Sequence, residues 1–357
     1  MINSNDLQAF SSRIKNEISE CENFQAYVSN YCKDIAALST QVLPKPSESL
    51  AESYLTNPLQ SFFENPGKCS RSLCCLLANY AFSGKIADCI TSALAIEVFQ
   101  NAALIHDDIA DNALTRRNKP CLHVTHGIGT ALNAGDYALT FMDQLVLNDD
   151  QLQDATKMEV LLELSNMKTK TIEGQAIDIG WENAGGFGQN EEDYEKMATL
   201  KTANYTCASP MAIGAIIAGA PKDKVQQLRE AGLKCGLAFQ IQDDLLNVDR
   251  TTQDSSKDFA LDIAEGKRTL IALHAIKSLD AENSKKLQDI LDSNDNTPQE
   301  IEDALNLIEK SGALDYAKER TKSLIFESKS IMNVCMNEGK EKELLISMAD
   351  WCLERTH

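Results

Sequence analysis

The sequence predicts an all-α fold, a bundle of long helices forming one domain over 1–357. Three observations carry that prediction. Apolar residues recur at i, i+3 and i+4 through most of the chain, the repeat of a helix that buries one face. The 357 residues include 17 Gly and 8 Pro, below ordinary usage, so few turns are signalled. No hairpin dipeptide separates two alternating strands. With 43% hydrophobic residues, the chain can bury a sizeable core.

In chain order, helical periodicity covers roughly 5–41, 69–82, 88–109, 130–147, 152–178, 192–218, 225–248, 266–278, 299–310 and 314–335. The clearest stretches are two. Residues 88–109 carry Ile90, Ala93, Leu94, Val98, Ala102, Ile105 and Ile109 at helical spacing. Residues 225–248 do the same with Leu228, Leu233, Leu237, Ile241, Leu245 and Val248. The segments 43–49 (LPKPSES), 183–193 (NAGGFGQNEED) and 293–299 (SNDNTPQ) read as loops, and none is long enough to force a domain boundary. There is no fixed-period repeat and no low-complexity tract. The C-terminal third is more polar, as expected of a peripheral layer.

Composition narrows the function classes. A formal charge of −19, from 53 acids and 34 bases, argues against general nucleic-acid binding. An acidic chain that binds anions needs local bases or bridging cations. The 11 Cys are scattered without a CxxC pair, and 5 His are too few for zinc-finger spacings. Reduced thiols in a cytoplasmic protein are the simplest expectation. The start MINSNDLQAF lacks the pattern of a signal peptide, and no run of 18 apolar residues appears, so no membrane insertion is expected.

Two acidic clusters of one design stand out. Asp107-Asp108-Ile109-Ala110-Asp111 follows the apolar run ALIH, and Asp243-Asp244-Leu245-Leu246-Asn247 follows LAFQIQ. Carboxylates are disfavoured at a helix C-terminus, where the macrodipole is already negative. Residues i and i+4 project from one face, about 6 Å apart along the axis. Asp107 therefore pairs with Asp111, and Asp243 with Asn247. Hard oxygen ligands of this kind suit Mg²⁺, which completes its shell with phosphate oxygens. Two such clusters on facing helices could hold several ions over one diphosphate.

Bases accompany the clusters. Lys68 and Arg71 sit three apart in NPGKCSRS, Arg116 and Arg117 follow the first cluster, Lys201 begins LKTANY, and Lys257 and Lys267 follow the second cluster. Arg recognises phosphate oxygens as a fork and Lys as a point charge. Other motifs fail. NPGKCS is no P-loop, because the first Gly would fall at Phe62 and Cys69 stands where Ser or Thr is needed. His106-Asp107 lacks the upstream His of a metal phosphohydrolase. The GGFG at 185–188 does not join a strand to a helix.

These residues resemble the trans-isoprenyl diphosphate synthases, or polyprenyl synthetases, in particular the geranylgeranyl diphosphate synthases, from about Asn65 to Leu273 and more loosely to the C-terminus. LIHDDIADNALTRRNKP is similar to the family's first aspartate-rich motif and FQIQDDLLNVD to its second, with GQAIDIGW, LKTANY and KDFALDIAEGKRTL as accompanying stretches. The resemblance implies the isoprenoid synthase fold, helices around a deep central cavity, and a homodimer. It implies about three Mg²⁺ ions held by Asp107, Asp108, Asp111 and Asp243, with Asp244 and Asn247 nearby. It implies that Lys68, Arg71, Gln100 and Arg117 hold isopentenyl diphosphate, and that Arg116, Lys201, Thr202, Gln240, Lys257 and Lys267 serve the allylic diphosphate. Two departures are visible: the family's GGKxxRP reads here as Pro66-Gly67-Lys68-Cys69-Ser70-Arg71-Ser72, and the second cluster ends in Asn247 instead of Asp.

The implied reaction is condensation of isopentenyl diphosphate with an allylic diphosphate. Family members with bulky aromatics four and five residues before the first cluster make short products. Here those positions are Ala103 and Ala102, with Phe99 about one turn deeper, which leaves room for a C20 product, or C25 and longer. Two other readings remain open from the sequence: a class I terpene cyclase on the same fold, and a non-catalytic subunit of a heteromeric prenyl synthase.

Overall fold

The computed structural model describes residues 4–22, 24–43, 49–64, 67–250, 259–293 and 295–354. Helices dominate, as expected. Among the described residues the exception is one antiparallel pair of two-residue strands, Thr115–Arg116 and Lys119–Pro120. Contacts divide the chain into two compact units, each assembled from three stretches. The first comprises Met1–Asn166, Ser209–Arg229 and Cys335–Met348, and the second Met167–Ala208, Glu230–Val334 and Ala349–His357.

The first unit is built around the helix Ile86–Ala110, packed by Ser70–Ala81, Ile128–Leu147 and Ser209–Ile217. Ile86, Ile90, Leu94, Val98, Ala102 and Ile105 of this helix are essentially inaccessible. A helix apolar nearly all round must be covered on all sides. It is long and apolar enough to cross a membrane by composition, but 78% of its most apolar window is buried within the fold. Gly214 lets two of the surrounding helices touch, since a Cβ there would lie 2.1 Å from the Cys75 carbonyl oxygen.

The second unit packs the helices Glu191–Ala198, Leu270–Ser278, Ala281–Leu291 and Pro298–Ser311 around one another, together with parts of longer helices. Two starts carry full capping boxes, Asn190 with Asp193 and Thr297 with Glu300, each satisfying backbone donors that the helix leaves open. Thr297 thus turns the end of the expected 293–299 loop into a helix start, with Pro298 in the first turn.

Several elements differ from the sequence expectation. The stretch 5–41 is two helices, Ser4–Glu20 and Phe24–Val42. The Phe24 amide donates to Ser347 Oγ at 3.0 Å, so the second helix has its own anchored start. The stretch 266–278 becomes helical only at Leu270, where Thr269 caps it by accepting from the Ala272 amide. Helices at Asn57–Phe63, Ala281–Leu291 and Lys340–Glu354 were not anticipated.

The most consequential difference lies in 192–218. Between the α-helices Glu191–Ala198 and Ser209–Ile217, residues Thr199–Ala208 form a π-helix. Apolar periodicity cannot separate a π turn from an α turn over so short a run. Asn204 Nδ2 donates to the Thr199 carbonyl, five residues back, at 2.6 Å, which suits the wider turn. Glycines let neighbouring helices meet this segment backbone to backbone. A Cβ on Gly174 would lie 2.2 Å from the Lys201 amide nitrogen, and one on Gly236 would lie 2.6 Å from Ala203 Cα.

Gly174→Ala should therefore force backbone apart, at a cost of about 2 kcal/mol. Thermal denaturation should show a midpoint lower by roughly 3 °C. An unchanged midpoint would refute the close approach.

Candidate active site

The helix Ile86–Ala110 ends in the first acidic cluster, with Asp111 at its C-cap. Asp107 and Asp111 are half-buried, while Asp108 is 1% exposed. Asp108 Oδ1 accepts from Arg116 Nε at 2.7 Å and lies 2.5 Å from Nη2. Burial works against the Arg116 charge, but Asp108 outweighs it and holds the guanidinium above its ordinary range. The cluster thus splits its roles: Asp108 turns inward onto a base, and Asp107 and Asp111 stay on the accessible face.

Arg116 and Arg117 are delivered by a tight hairpin that the sequence concealed. Thr115 pairs with Pro120 and Arg116 with Lys119, leaving Arg117 and Asn118 at the turn with φ of 52° and 63°. Two consecutive left-handed residues make a type I′ turn. The usual Asn-Gly or Asp-Gly signal is replaced by Arg-Asn. A left-handed Arg is strained, so its position is over-determined by its surroundings.

Those surroundings include Gly67, Glu97, Arg116 and Arg71. The Arg117 guanidinium lies against Gly67, where a Cβ would be 2.6 Å from Nη2. Burial lowers the Arg117 pKa, the charge of Glu97 opposes this, and Arg116 and Arg71 lower it further. Lys68 and Arg71 are half-buried beside Cys69, whose φ of 48° opens the helix Ser70–Ala81. Gln100 is 7% exposed. Glu97, absent from the sequence reading, is also buried, and its Oε1 accepts from the Ser72 amide at 3.0 Å. A cavity of about 220 Å³ is lined by Phe62, Arg116, Arg117, Lys119, Leu122 and His126. The chain-length positions divide. On an ideal helix Ala103 lies about 40° from Asp107, whereas Ala102 lies about 140° away. Ala102 is wholly buried, Ala103 half-buried and Phe99 2% exposed.

The helix Lys222–Val248 carries the second cluster in its last turns. Asp243 is half-buried, and Asp244 is turned inward at 5% exposure. Tyr194 Oη donates to Asp244 Oδ2 at 2.6 Å, and Gln240 Nε2 donates to Oδ1 at 2.9 Å. Thr202 Oγ1 donates to Gln240 Oε1 at 2.7 Å. Asn247 Oδ1 accepts from the Asp262 amide at 3.0 Å, and its carbonyl accepts from the Ala260 amide at 2.8 Å. Burial, partly offset by these hydrogen bonds, raises the Asp244 carboxyl to about 7. Burial and then the charge of Asp244 raise Asp262 well above the carboxylate range.

Of the lysines expected on the allylic side, the two described, Lys201 and Lys267, pair with one helix, Asp154–Ala184. Lys201 Nζ lies 2.5 Å from Asp178 Oδ2, and Lys267 Nζ lies 2.5 Å from Glu182 Oε1. Asp178 and Glu182 sit four apart and so share a face. With Tyr194 and Glu97 they are the partners that sequence reasoning missed. The i, i+4 acids following GQAI were a usable signal. Lys257 lies outside the described residues.

The polyprenyl synthetase family profile matches residues 52–308. The chain belongs to this family. It is 35% identical over 275 residues to a geranylfarnesyl diphosphate synthase of Natronomonas pharaonis, covering 77% of each protein. It is 32% identical over 293 residues to a geranylgeranyl diphosphate synthase of Methanosarcina mazei, covering 82% of this chain and 86% of that one. The crystal structure of a geranylgeranyl pyrophosphate synthetase from Pyrococcus horikoshii superposes with a TM-score of 0.81 at 28% identity, covering 92% of this chain and 98% of the other. The fold of this polyprenyl synthetase is thus the all-α isoprenoid synthase fold.

Two measurements follow from the geometry. Arg116→Ala strands the buried Asp108 charge and should cost about 2 kcal/mol in denaturant unfolding, below the full penalty because Arg116 is one-third exposed. A loss under half that value would show that Asp108 finds another partner. Asp244 sets a pH dependence in the metal-free protein. Its folded pKa of about 7 lies above the ordinary 3.8, so the fold favours the protonated form. This contribution is full below pH 3.8 and lost as pH rises through about 7. In Asp244→Asn the melting temperature should depend less on pH across that window.

Proposed function

We propose that this protein condenses isopentenyl diphosphate with an allylic diphosphate to make a polyprenyl diphosphate of C20, or next C25 and longer, acting as one all-α domain over 1–357. The observation that supports this most is the repeated cluster design: each of two helices ends with an inward, hydrogen-bonded Asp beside an accessible one, and phosphate-type bases accompany both.

The donor chemistry fits Mg²⁺. Asp107, Asp111 and Asp243 offer hard carboxylate oxygens on accessible faces. Among the described residues no group of three His, Cys, Asp or Glu converges as an ion site by itself. Mg²⁺ often takes part of its shell from phosphate oxygens. About three ions are expected, and when bound they supply charge neutralisation for the departing diphosphate. The family resemblance assigns Lys201, Lys257, Lys267 and Arg116 to the allylic diphosphate. Lys68, Arg71, Gln100 and Arg117 would orient isopentenyl diphosphate so that its double bond faces the allylic carbon, which removes much of the entropic barrier. The allylic C–O bond breaks first, giving an allylic cation and free diphosphate. The isopentenyl double bond then forms the new carbon–carbon bond to that cation, and a proton leaves the isopentenyl unit, with the released diphosphate as its acceptor. No protein nucleophile is needed. The protein would act as a cytoplasmic homodimer.

The deciding experiment is product analysis with isopentenyl diphosphate, each allylic primer in turn, and Mg²⁺. A C20 product with some C25 is expected, and a product stopping at C15 would sink the chain-length reading. Ala102→Phe and Ala103→Phe should each shorten the product. An unchanged product from either removes that residue from the cavity floor. Hydrocarbon released from an allylic diphosphate alone would instead indicate cyclisation.

A further inference from the structure

In the second unit, polar groups from three elements link into one hydrogen-bonded chain that ends on Asp244. Asp244 has both carboxylate oxygens engaged by neutral donors, Tyr194 Oη at 2.6 Å and Gln240 Nε2 at 2.9 Å. Gln240 in turn accepts from Thr202 Oγ1 at 2.7 Å. Tyr194 comes from the helix Glu191–Ala198, Thr202 from the π segment, and Gln240 and Asp244 from the second-cluster helix. Tyr194 is 2% exposed, so its hydroxyl needs a partner within the fold. Its helix is also fixed from outside. Glu191 bonds His274 Nδ1 at 2.7 Å, and Glu195 accepts from Arg320 at 2.6 and 2.8 Å.

A carboxylate held at both oxygens has its rotamer set. Successive helical residues diverge by about 100°, so Asp243 lies on the half-buried face, and tying Asp244 to a second helix holds that face at one rotation. We infer that Tyr194 is a positioning residue of the metal–diphosphate site: its hydroxyl holds Asp244 inward, and that hold fixes the aim of Asp243 and of the Gln240–Thr202 pair. The inference rests on the function proposed above. In the first cluster a cation, Arg116, holds the inward Asp108. Here a phenol and an amide do so, and among the described residues both hydrogen-bond donors to its oxygens are neutral.

Mn²⁺ binding in the presence of inorganic diphosphate, followed by electron paramagnetic resonance, tests this without turnover. Tyr194→Phe keeps the ring and removes only the hydroxyl. It should weaken Mn²⁺ binding about tenfold, the scale of one lost buried hydrogen bond to a carboxylate. Asp244→Asn should lose a similar factor, and the double variant should be no weaker than Asp244→Asn alone, because Tyr194 acts through Asp244. In turnover, Tyr194→Phe should raise KM for the allylic diphosphate and leave KM for isopentenyl diphosphate unchanged. Mn²⁺ affinity within twofold of wild type, or losses that add in the double variant, would overturn the inference. A wild-type protein that binds Mn²⁺ with diphosphate but forms no prenyl product would overturn the functional reading, while the Mn²⁺ comparison would still decide the role of Tyr194.

Discussion

Concentrating carboxylates at the C-terminal end of a helix is the constraint around which the rest of this molecule is arranged. The helix end is already negative, and each added Asp repels both it and its neighbours. In both clusters the second Asp is withdrawn into the protein and tied down, Asp108 by Arg116 and Asp244 by Tyr194 and Gln240. The first Asp of each pair is then left at the accessible face. Withdrawal itself has a cost, which shows in the raised pKa of Asp244.

Much of the local backbone geometry serves these tethers. The left-handed Arg117 and Asn118 close a hairpin short enough to bring Arg116 back over the turn from which Asp108 projects. In the second unit the wide π turns of Thr199–Ala208 carry Lys201 and Thr202, and glycines at 174 and 236 admit neighbouring backbones at contact distance. Each device sacrifices local preference, an αL conformation or an under-filled helix, for the placement of one or two side chains. Such violations of local consistency concentrate at functional sites.

The family resemblance and the geometry divide the explanation between them. Order and spacing of the motifs carry the membership, because few unrelated chains would repeat an acidic cluster with bases in this sequence. Geometry adds the division of labour within each cluster, which spacing treats as uniform. Asn247 illustrates this. By spacing it is the fourth-residue partner of Asp243, yet its side-chain oxygen accepts the Asp262 amide and its carbonyl the Ala260 amide, stitching the segment that leads to Lys267 onto the helix end.

The sequence alone determined the all-α class, the two long apolar helices and the clusters at their ends, because these depend on periodicity and on i, i+4 spacing within a single helix. It also exposed the bases Lys68, Arg71, Arg116, Arg117, Lys201 and Lys267 by residue type and order. Tertiary structure alone decided which carboxylates turn inward, and which partners hold them. Tyr194 is 50 residues from Asp244, Asp178 is 23 from Lys201, and Glu97 reaches Ser72 across a separation of 25. Periodicity identifies the face of a helix, but hydrogen-bond partners between helices are set by packing over such separations. The hairpin at Arg117 and the π turns at Thr199–Ala208 escaped for a related reason. Surrounding contacts over-determine them against the local propensity of their own residues.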